Sequence, residues 1–326
     1  MENLRNSISL CFLKRLYYEM LRIRKAEEKL TEWDKAGLIN VPIHLCTGQE
    51  AIAVGIMAAL KPKDKIVSTH RCRGHYLAKG GDLKAMMAEI LGKATGNGRG
   101  KGGAMHLFDD KAGIVVSAPL VGASIAIAVG IALSSKMKGD DKISVAFFGD
   151  GAVETGIFWE SLNFASVHHL PVLFVCENNL YATRSPILRR QPDKTIVSRI
   201  SPHRVNVCRI KNANNVLDVM MVAQSIVNRV RLNEPGFIEA CTYRVKEHWG
   251  GNDDWHLGYR SREEGDKWLA KCPLKQIKKV LRKNGVDNYD IEDMDRRIDE
   301  EVNEAADFAI KSPAPLPWEL TTEVGG

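Results

Sequence analysis

Two apolar stretches decide the fold: residues 143–151 read ISVAFFGDG, and residues 171–179 read PVLFVCENN. Each is a continuous apolar run that ends in glycine or polar residues, which is typical of a strand buried on both faces of a sheet. The intervening residues, from about Phe158 to His168, have the pattern of a helix. This succession predicts two parallel strands joined by a crossover helix.

The same alternation extends in both directions along the chain. Further strands are predicted at residues 65–69, 205–207 and 236–240, and helices at about 10–36, 50–60, 83–91 and 216–232. We therefore expect an α/β fold with a doubly wound, mostly parallel sheet. No linker or repeat is visible, so one domain is predicted: a helical N-terminal extension (1–40), an α/β core (41–262) and a helical C-terminal extension (263–326).

Composition and cysteine usage indicate an ordinary globular protein of a reducing compartment. The 326 residues are 44% hydrophobic and 26% charged. The cysteines stand singly, without zinc-site spacing, which argues against a disulfide framework or a structural metal. The N-terminus carries Glu2, Arg5, Lys14 and Arg15 rather than an apolar leader, and the most apolar stretch, residues 123–133, is too short to span a bilayer. We expect a cytoplasmic protein without a membrane partner.

A basic run extends from Arg184 to Lys211. Such a run is usually a solvated face, although an anionic cofactor or partner can also use it. It lacks the interleaved aromatic residues of a nucleic-acid-binding protein, so no nucleic-acid partner is predicted. The pattern Gly98-x-Gly100-x-x-Gly103 matches a dinucleotide-binding fingerprint, but it follows a predicted helix instead of a strand, and we reject it.

Polar residues follow both deciding strands at the point where each strand ends. Asp150 lies between Gly149 and Gly151, and Asn179 follows the second strand. Open α/β sheets bind ligands at this edge. A carboxylate and an amide oxygen suit Mg²⁺, which completes its coordination with phosphate oxygens and water, and the glycines let the backbone approach an anion. The alternative is that Asp150 caps a helix and Asn179 forms a turn, but the spacing and the doubled asparagine favour a cation site.

Several stretches resemble the α subunits of thiamine-diphosphate-dependent 2-oxo acid dehydrogenases, including those of pyruvate, branched-chain 2-oxo acid and acetoin dehydrogenases. The resemblance covers about residues 10–275 in one register. The matching stretches are HLCTGQEA (44–51), GKGGAMHLF (100–108), FGDGA (148–152), PVLFVCENNLY (171–181), TYR with His248 (242–248) and YRS (259–261). The resemblance implies the thiamin-diphosphate-binding fold and an oxidoreductase that decarboxylates a 2-oxo acid and passes the acyl group to a lipoyl carrier.

The resemblance also implies a set of cofactor ligands. Asp150, Asn179 and the backbone carbonyl of Tyr181 would hold Mg²⁺. The remaining cofactor contacts would be made by His70, Arg71, Leu120, Val121, Gly149, Gly151, Ala152 and His248. Among these, Arg71 would pair with the diphosphate and Val121 would lie against the thiazolium ring.

Two histidines are the candidate catalytic residues. His248 would bind the diphosphate or help proton transfer during acyl transfer, and His44 would line the same opening. A histidine in a polar loop is more often a surface residue, but the position of His248 after Tyr243-Arg244 matches the active-site loop of the family.

The resemblance further implies that the chain is incomplete as an enzyme. The family generates its reactive cofactor with a glutamate from a separate β subunit in a heterotetramer, and a lipoyl acyltransferase is a possible further partner. Glu50 and Glu154 lie in the diphosphate-binding half and are interpreted as structural or supporting residues. Two alternatives remain: a carboligase or decarboxylase subunit without lipoyl transfer, and a catalytically silent structural subunit.

One predicted helix carries small residues along one face, at Gly122, Ala126, Gly130 and Ser134. This face serves either core packing or a subunit contact.

The sequence departs from the family at the places that define the substrate. His70 stands where the family usually has tyrosine, and an imidazole can still donate a hydrogen bond to phosphate. Ser117-Ala118-Pro119 replaces a Gly-Asn-Gly, and proline removes a hydrogen-bond donor beside the thiazolium. The loop over residues 249–256 replaces the usual serine-containing loop. These departures leave the identity of the 2-oxo acid and of the acyl acceptor open.

Overall fold

The sheet is six-stranded and entirely parallel, with strand order β2-β1-β3-β4-β8-β7, and a separate short hairpin is formed by β5 and β6. The structure is a computed structural model and describes residues 8–321; the predictions for Glu2 and Arg5 lie outside the described residues. The strands are β1 (Lys65–Thr69), β2 (Ile114–Ala118), β3 (Ser144–Gly149), β4 (Val172–Asn178), β5 (Tyr181–Ala182), β6 (Ser185–Pro186), β7 (Asn206–Ile210) and β8 (Gly236–Cys241).

Helices cover both faces of this sheet. The α-helices are α1 (Leu10–Lys35), α2 (Glu50–Met57), α3 (Arg73–Ala78), α4 (Leu83–Ile90), α5 (Ala123–Lys138), α6 (Gly156–Val167), α7 (Val197–Ile200), α8 (Val216–Val230), α9 (Arg262–Leu269), α10 (Pro273–Lys283) and α11 (Asn288–Lys311). Short 3-10 helices lie at Asp150–Glu154, Ile187–Arg189, Ser201–His203, Trp255–Leu257 and Pro317–Thr321. The prediction of a doubly wound parallel α/β sheet is confirmed.

The two faces of the sheet build separate apolar layers. Val145 and Phe147 of β3 contribute to the layer under α1, α2, α8, α10 and α11, whereas Ala146 and Phe148 contribute to the layer under α5 and α6. Successive side chains of a strand point to opposite faces, so both faces of β3 must be apolar. This explains why the deciding stretch is a continuous apolar run instead of an alternating one.

The sequence analysis did not predict β2, α3, α7 or the β5–β6 hairpin. Strand β2 is an edge strand that pairs in parallel with β1, and α3 follows directly after β1. Because β2 lies on one side of β1 and β3 on the other, the chain reverses its direction of travel across the sheet between β1 and β3. Ligands of open α/β sheets bind at such a switch point, outside the carboxyl ends of the strands.

Within residues 8–321, no helix combines the length and apolarity needed to cross a lipid bilayer.

Candidate functional site

A cavity of about 240 Å³ opens at the switch point, between the carboxyl ends of β1 and β3. The site residues predicted from the sequence all line it: His44, His70, Arg71, Leu120, Val121, Gly149, Asp150, Gly151, Ala152, Asn179, Tyr181 and His248. The fold therefore brings together residues that are up to two hundred positions apart in the chain.

The oxygen donors at the strand ends are placed by the pairing of β3 with β4. Gly149 lies opposite Glu177, so the chain leaves the two strands side by side at Asp150 and Asn179. The Oδ1 atom of Asn179 accepts a hydrogen bond from the Tyr181 backbone N–H at 3.2 Å. Asn178, the other member of the doubled asparagine, instead donates to Glu239 at 2.8 Å, deep in the sheet.

Asp150 is buried and is paired with a cation that the sequence did not single out. The guanidinium of Arg190 contacts the carboxylates of both Asp150 and Glu154. Burial raises the pKa of Asp150, and the hydrogen bond and charge of Arg190 act in the opposite direction. Arg190 belongs to the basic run that was interpreted as a solvated or anion-binding face, and no spacing rule identifies it, because it reaches Asp150 only after the β5–β6 hairpin turns the chain back.

The backbone around Asp150 is open on the cavity side. A Cβ built on Gly149 would meet nothing within 4 Å, whereas a Cβ on Gly151 would lie 2.9 Å from Cβ of Ala182. A side chain at Gly151 would therefore collide with the hairpin, and the bare backbone leaves room for a ligand to approach.

Three histidine rings that line the cavity form one cluster in direct contact. The ring centroid of His44 lies 4.6 Å from that of His70 and 5.1 Å from that of His248. Burial, followed by the charge of Arg71, lowers the pKa of His44 to about 3, of His70 to about 2 and of His248 to about 4. All three imidazoles are neutral at pH 7, so each can accept a hydrogen bond on one nitrogen and donate from the other.

Arg71 is a buried cation, and in the described part of the chain the nearby carboxylate of Glu27 forms its ion pair with Arg73 instead. Its guanidinium donates to the backbone carbonyl of Leu45 and, at 3.2 Å, to that of His248. Among residues 8–321 no carboxylate forms an ion pair with it, and burial, followed by the charge of Arg244, lowers the pKa of Arg71 to about 9. A buried cation without a counter-ion favours the binding of an anion.

The cavity offers the groups that a magnesium ion with a diphosphate requires. Asp150 and Asn179 supply hard oxygen donors, Arg71 supplies the uncompensated charge, and Gly149 supplies open backbone. Within the described part of the chain, the buried Nδ1 of His44 has no hydrogen-bond partner. The residues present therefore fit a divalent cation with a phosphate-bearing ligand.

The wall opposite the charged residues is apolar and open. Leu120 and Val121 are 73% and 58% exposed, and they follow Pro119 after the end of β2. Two of the three residues of the departure at 117–119, Ala118 and Pro119, thus lie in the cavity wall.

The loop that carries His248 is held by a buried network. Arg260 pairs with Asp254 and donates to the carbonyl of Lys246 at 3.1 Å, and Ser261 caps α9. At the other end of the loop, Gly250 donates to the carbonyl of Ile43 at 2.8 Å. The YRS stretch at 259–261 therefore positions the histidine loop rather than lining the cavity.

The backbone N–H groups of the glycine-rich segment at residues 96–103 bind a carboxylate of the same chain. The buried carboxylate of Glu89 accepts hydrogen bonds from the backbone N–H groups of Gly98, Gly100 and Gly102. These donors are therefore used within the protein.

Other cavity residues were missed by the sequence analysis. Gln49 accepts a hydrogen bond from the Asn179 side chain at 3.4 Å, and Glu177 lies 3.4 Å from Nε2 of the buried His75. Both adjoin predicted residues, and the polar position of Glu177 at the end of an apolar strand is a signal that could have identified it.

Comparison with known proteins relates the chain to one family and to several of its members. The sequence model of a family described as "Dehydrogenase E1 component" matches residues 18–317. The chain is 38% identical over 311 residues to the α subunit of an acetoin:2,6-dichlorophenolindophenol oxidoreductase of Bacillus subtilis, covering 95% of this chain and 92% of that protein. It is 37% identical over 315 residues to a pyruvate dehydrogenase E1 component α subunit of Zymomonas mobilis (96% and 88%), and 33% identical over 311 residues to one of Rhizobium meliloti (94% and 88%).

Proposed function

The chain belongs to the family of dehydrogenase E1 components, and on that premise we propose that it is the α subunit of a thiamine-diphosphate-dependent 2-oxo acid dehydrogenase that acts on pyruvate or a related 2-oxo acid. Membership of the family implies dependence on thiamine diphosphate. The observation that carries the proposal is the convergence of Asp150, Asn179 and the uncompensated Arg71 on one cavity at the switch point.

In this proposal Mg²⁺ is held by Asp150, Asn179 and the carbonyl of Tyr181. The diphosphate lies against Gly149, Gly151 and Ala152 and neutralises the charge of Arg71, with His70 as a further donor; Leu120 and Val121 form the apolar wall. When bound, thiamine diphosphate supplies the electron sink that decarboxylation of a 2-oxo acid requires.

The residues of this chain would bind the cofactor and manage protons. Neutral His248 and His44 can hydrogen-bond a phosphate oxygen or move a proton, because their lone pairs are available at pH 7. The network around Arg260 holds the His248 loop in place. The imidazole is therefore positioned before the reaction begins, and no entropy is lost in ordering it during the reaction.

We also propose that a β subunit completes the site. Glu50 and Glu154, the glutamates considered in the sequence, pair with Arg24 and Arg190, so neither is available to activate a pyrimidine ring. The α5 and α6 helices expose apolar side chains, including Ile127 and Phe164. An assembly with the β subunit, in a heterotetramer, would cover this surface and close the cavity.

The apolar wall and the His248 loop would determine which substrate donates the acyl group and which molecule accepts it. A lipoyl acyltransferase is the proposed acceptor of the acyl group. A second candidate donor is acetoin, because the Bacillus subtilis relative is named for that substrate and because Pro119 reshapes the wall. A cytoplasmic location is proposed from the free cysteines of the described chain.

The test of the cation site is Asp150→Asn, which keeps the shape of the side chain and removes its charge. Calorimetric titration of thiamine diphosphate with Mg²⁺ should detect binding to the wild-type chain, and binding weakened at least tenfold in the variant, because a charged inner ligand is lost. Asp110→Asn, an exposed carboxylate outside the cavity, is the matched control and should bind as the wild type does. Unchanged affinity of Asp150→Asn would contradict the ligand assignment.

A further inference from the structure

Arg190 contacts Asp150, a residue that lines the cavity, although it follows the β5–β6 hairpin in the chain. After Asn179 the chain forms β5, turns through Thr183 at a positive φ of 53°, and returns through β6 and the 3-10 helix Ile187–Arg189. This path brings Arg190 back over Asp150. The Nε of Arg190 donates to the carbonyl of Ser185 at 3.1 Å, and its two terminal nitrogens contact Asp150 and Glu154 separately.

We propose that Arg190 is an exchangeable counter-ion of the cation site: it neutralises Asp150 in the cofactor-free chain and must leave that carboxylate when the divalent cation binds. This inference rests on the proposed function, because it assumes that Asp150 is the inner ligand of the cation. It assigns Arg190 as a positioning residue that sets the cation affinity.

The need for a counter-ion follows from burial. The side chain of Asp150 is 1% exposed, and a buried carboxylate without a partner is strongly destabilising. Arg190, with a side chain 11% exposed, supplies the partner in the absence of a metal. A guanidinium and a dication on one buried carboxylate repel each other, because their like charges are poorly screened there, so binding of the dication favours release of the guanidinium.

Glu154 gives the displaced guanidinium a place to remain. Its side chain is 32% exposed, three times as much as that of Arg190, and it lies at the end of the 3-10 helix that begins at Asp150. Arg190 can thus release Asp150 by a rotation that keeps its contact with Glu154. Since Tyr181 lies at the start of the same hairpin, the proposed third metal ligand and the counter-ion are carried by one segment, and cation binding is coupled to its conformation.

The experiment compares Arg190→Gln with Arg189→Gln, its exposed neighbour. Mn²⁺ binding to the full chain at a fixed, saturating concentration of thiamine diphosphate is followed by electron paramagnetic resonance, and melting temperatures are measured with and without both ligands. Removal of the competing charge should tighten Mn²⁺ binding by Arg190→Gln at least fivefold. It should also lower the melting temperature of the ligand-free chain, because Asp150 loses its partner, but not that of the loaded chain. Arg189→Gln should match the wild type in both measurements.

Two results would overturn the inference while leaving the proposed function intact. Weaker Mn²⁺ or cofactor binding by Arg190→Gln would make Arg190 a ligand of the diphosphate instead, and a lower melting temperature with unchanged Mn²⁺ affinity would make it purely structural. Absence of binding by the wild-type chain would contradict the proposed function itself. If Arg190→Gln does not fold, Arg190→Lys serves in its place: one ammonium cannot span Asp150 and Glu154 as the guanidinium does, so a smaller tightening is expected, and none would overturn the inference.

Discussion

His44, His70 and His248 lose affinity for protons when the chain folds, because burial and the charge of Arg71 both oppose the imidazolium form. Above about pH 6.5 these side chains are neutral in the folded and unfolded chain alike, so their titration does not change the free energy of unfolding with pH. Between about pH 6.5 and pH 4 only the unfolded chain takes up the protons. The free energy of unfolding should therefore fall with falling pH, by up to about 1.4 kcal/mol per pH unit for each histidine.

Urea unfolding at pH 7, 6 and 5 measures this slope. His70→Tyr removes one of the titrating groups and should reduce the slope relative to the wild type. His256→Tyr changes an exposed histidine of the same loop region as His248 and should leave the slope unaltered. Equal slopes in His70→Tyr and the wild type would show that His70 is not responsible.

A role of His248 in proton transfer can be separated from a role in cofactor binding. If the neutral imidazole moves a proton during acyl transfer, His248→Ala should lower the rate of acyl transfer by about 10²- to 10⁴-fold and change cofactor affinity by less. His256→Ala, in the exposed part of the same loop, is the control. Single-turnover kinetics of the complex with the β subunit and calorimetry of cofactor binding give the two quantities. A larger loss of affinity than of rate would indicate a role confined to the diphosphate.

Strands and helices could be predicted where neighbouring residues in the sequence carry a clear pattern of apolar and polar side chains. Strands β1, β3, β4 and β8 have apolar runs bounded by polar or glycine residues, and α1 and α8 have helical periodicity. The edge strand β2 was missed because only two of its five residues are buried, which gives no clear period, and α3 is too short to show one. The predicted site residues were brought to one cavity, but the Arg190–Asp150 pair arises from the return of a hairpin, which no local pattern reveals.

The start of α5 gives a prediction about an element. Gly122 precedes the helix at a φ of +89°, and a Cβ there would lie 2.6 Å from Cγ2 of Ile157 on α6. Gly139, at the other end of α5, has a φ of +65° and open space around its Cβ position. Gly139→Ala should cost about 1 kcal/mol from backbone strain alone, and Gly122→Ala about 2–4 kcal/mol, because crowding is added. Chemical unfolding of both variants measures the difference, and equal losses would show that α5 moves freely away from α6.

At the scale of the whole molecule, one side of the sheet is covered differently from the other. The terminal helices α1, α10 and α11 pack over one face, whereas α5 and α6 on the opposite face leave apolar side chains in solvent. Ile127 and Gly130 on α5 are exposed, and a Cβ on Gly130 would meet nothing within 4 Å. Gly122, at the start of the small-residue face, is needed for packing against α6, but Gly130 is not needed for packing inside the chain. This favours the subunit-contact interpretation of the small-residue face.

The contact with the β subunit is therefore expected on α5 and α6. Val167, at the end of α6, is 64% exposed, and Val167→Glu would place a charge in the proposed interface without disturbing the core. Sedimentation of the co-expressed α and β chains should show the variant dissociated at concentrations where the wild type is assembled, and 2-oxo acid turnover should fall in parallel, because the pyrimidine-binding half is lost. Leu232→Glu, equally exposed at 67% but adjoining α8 on the other face, should leave assembly and turnover unchanged. Dissociation by Leu232→Glu alone would place the partner on the opposite side of the sheet, where it could not close the cavity.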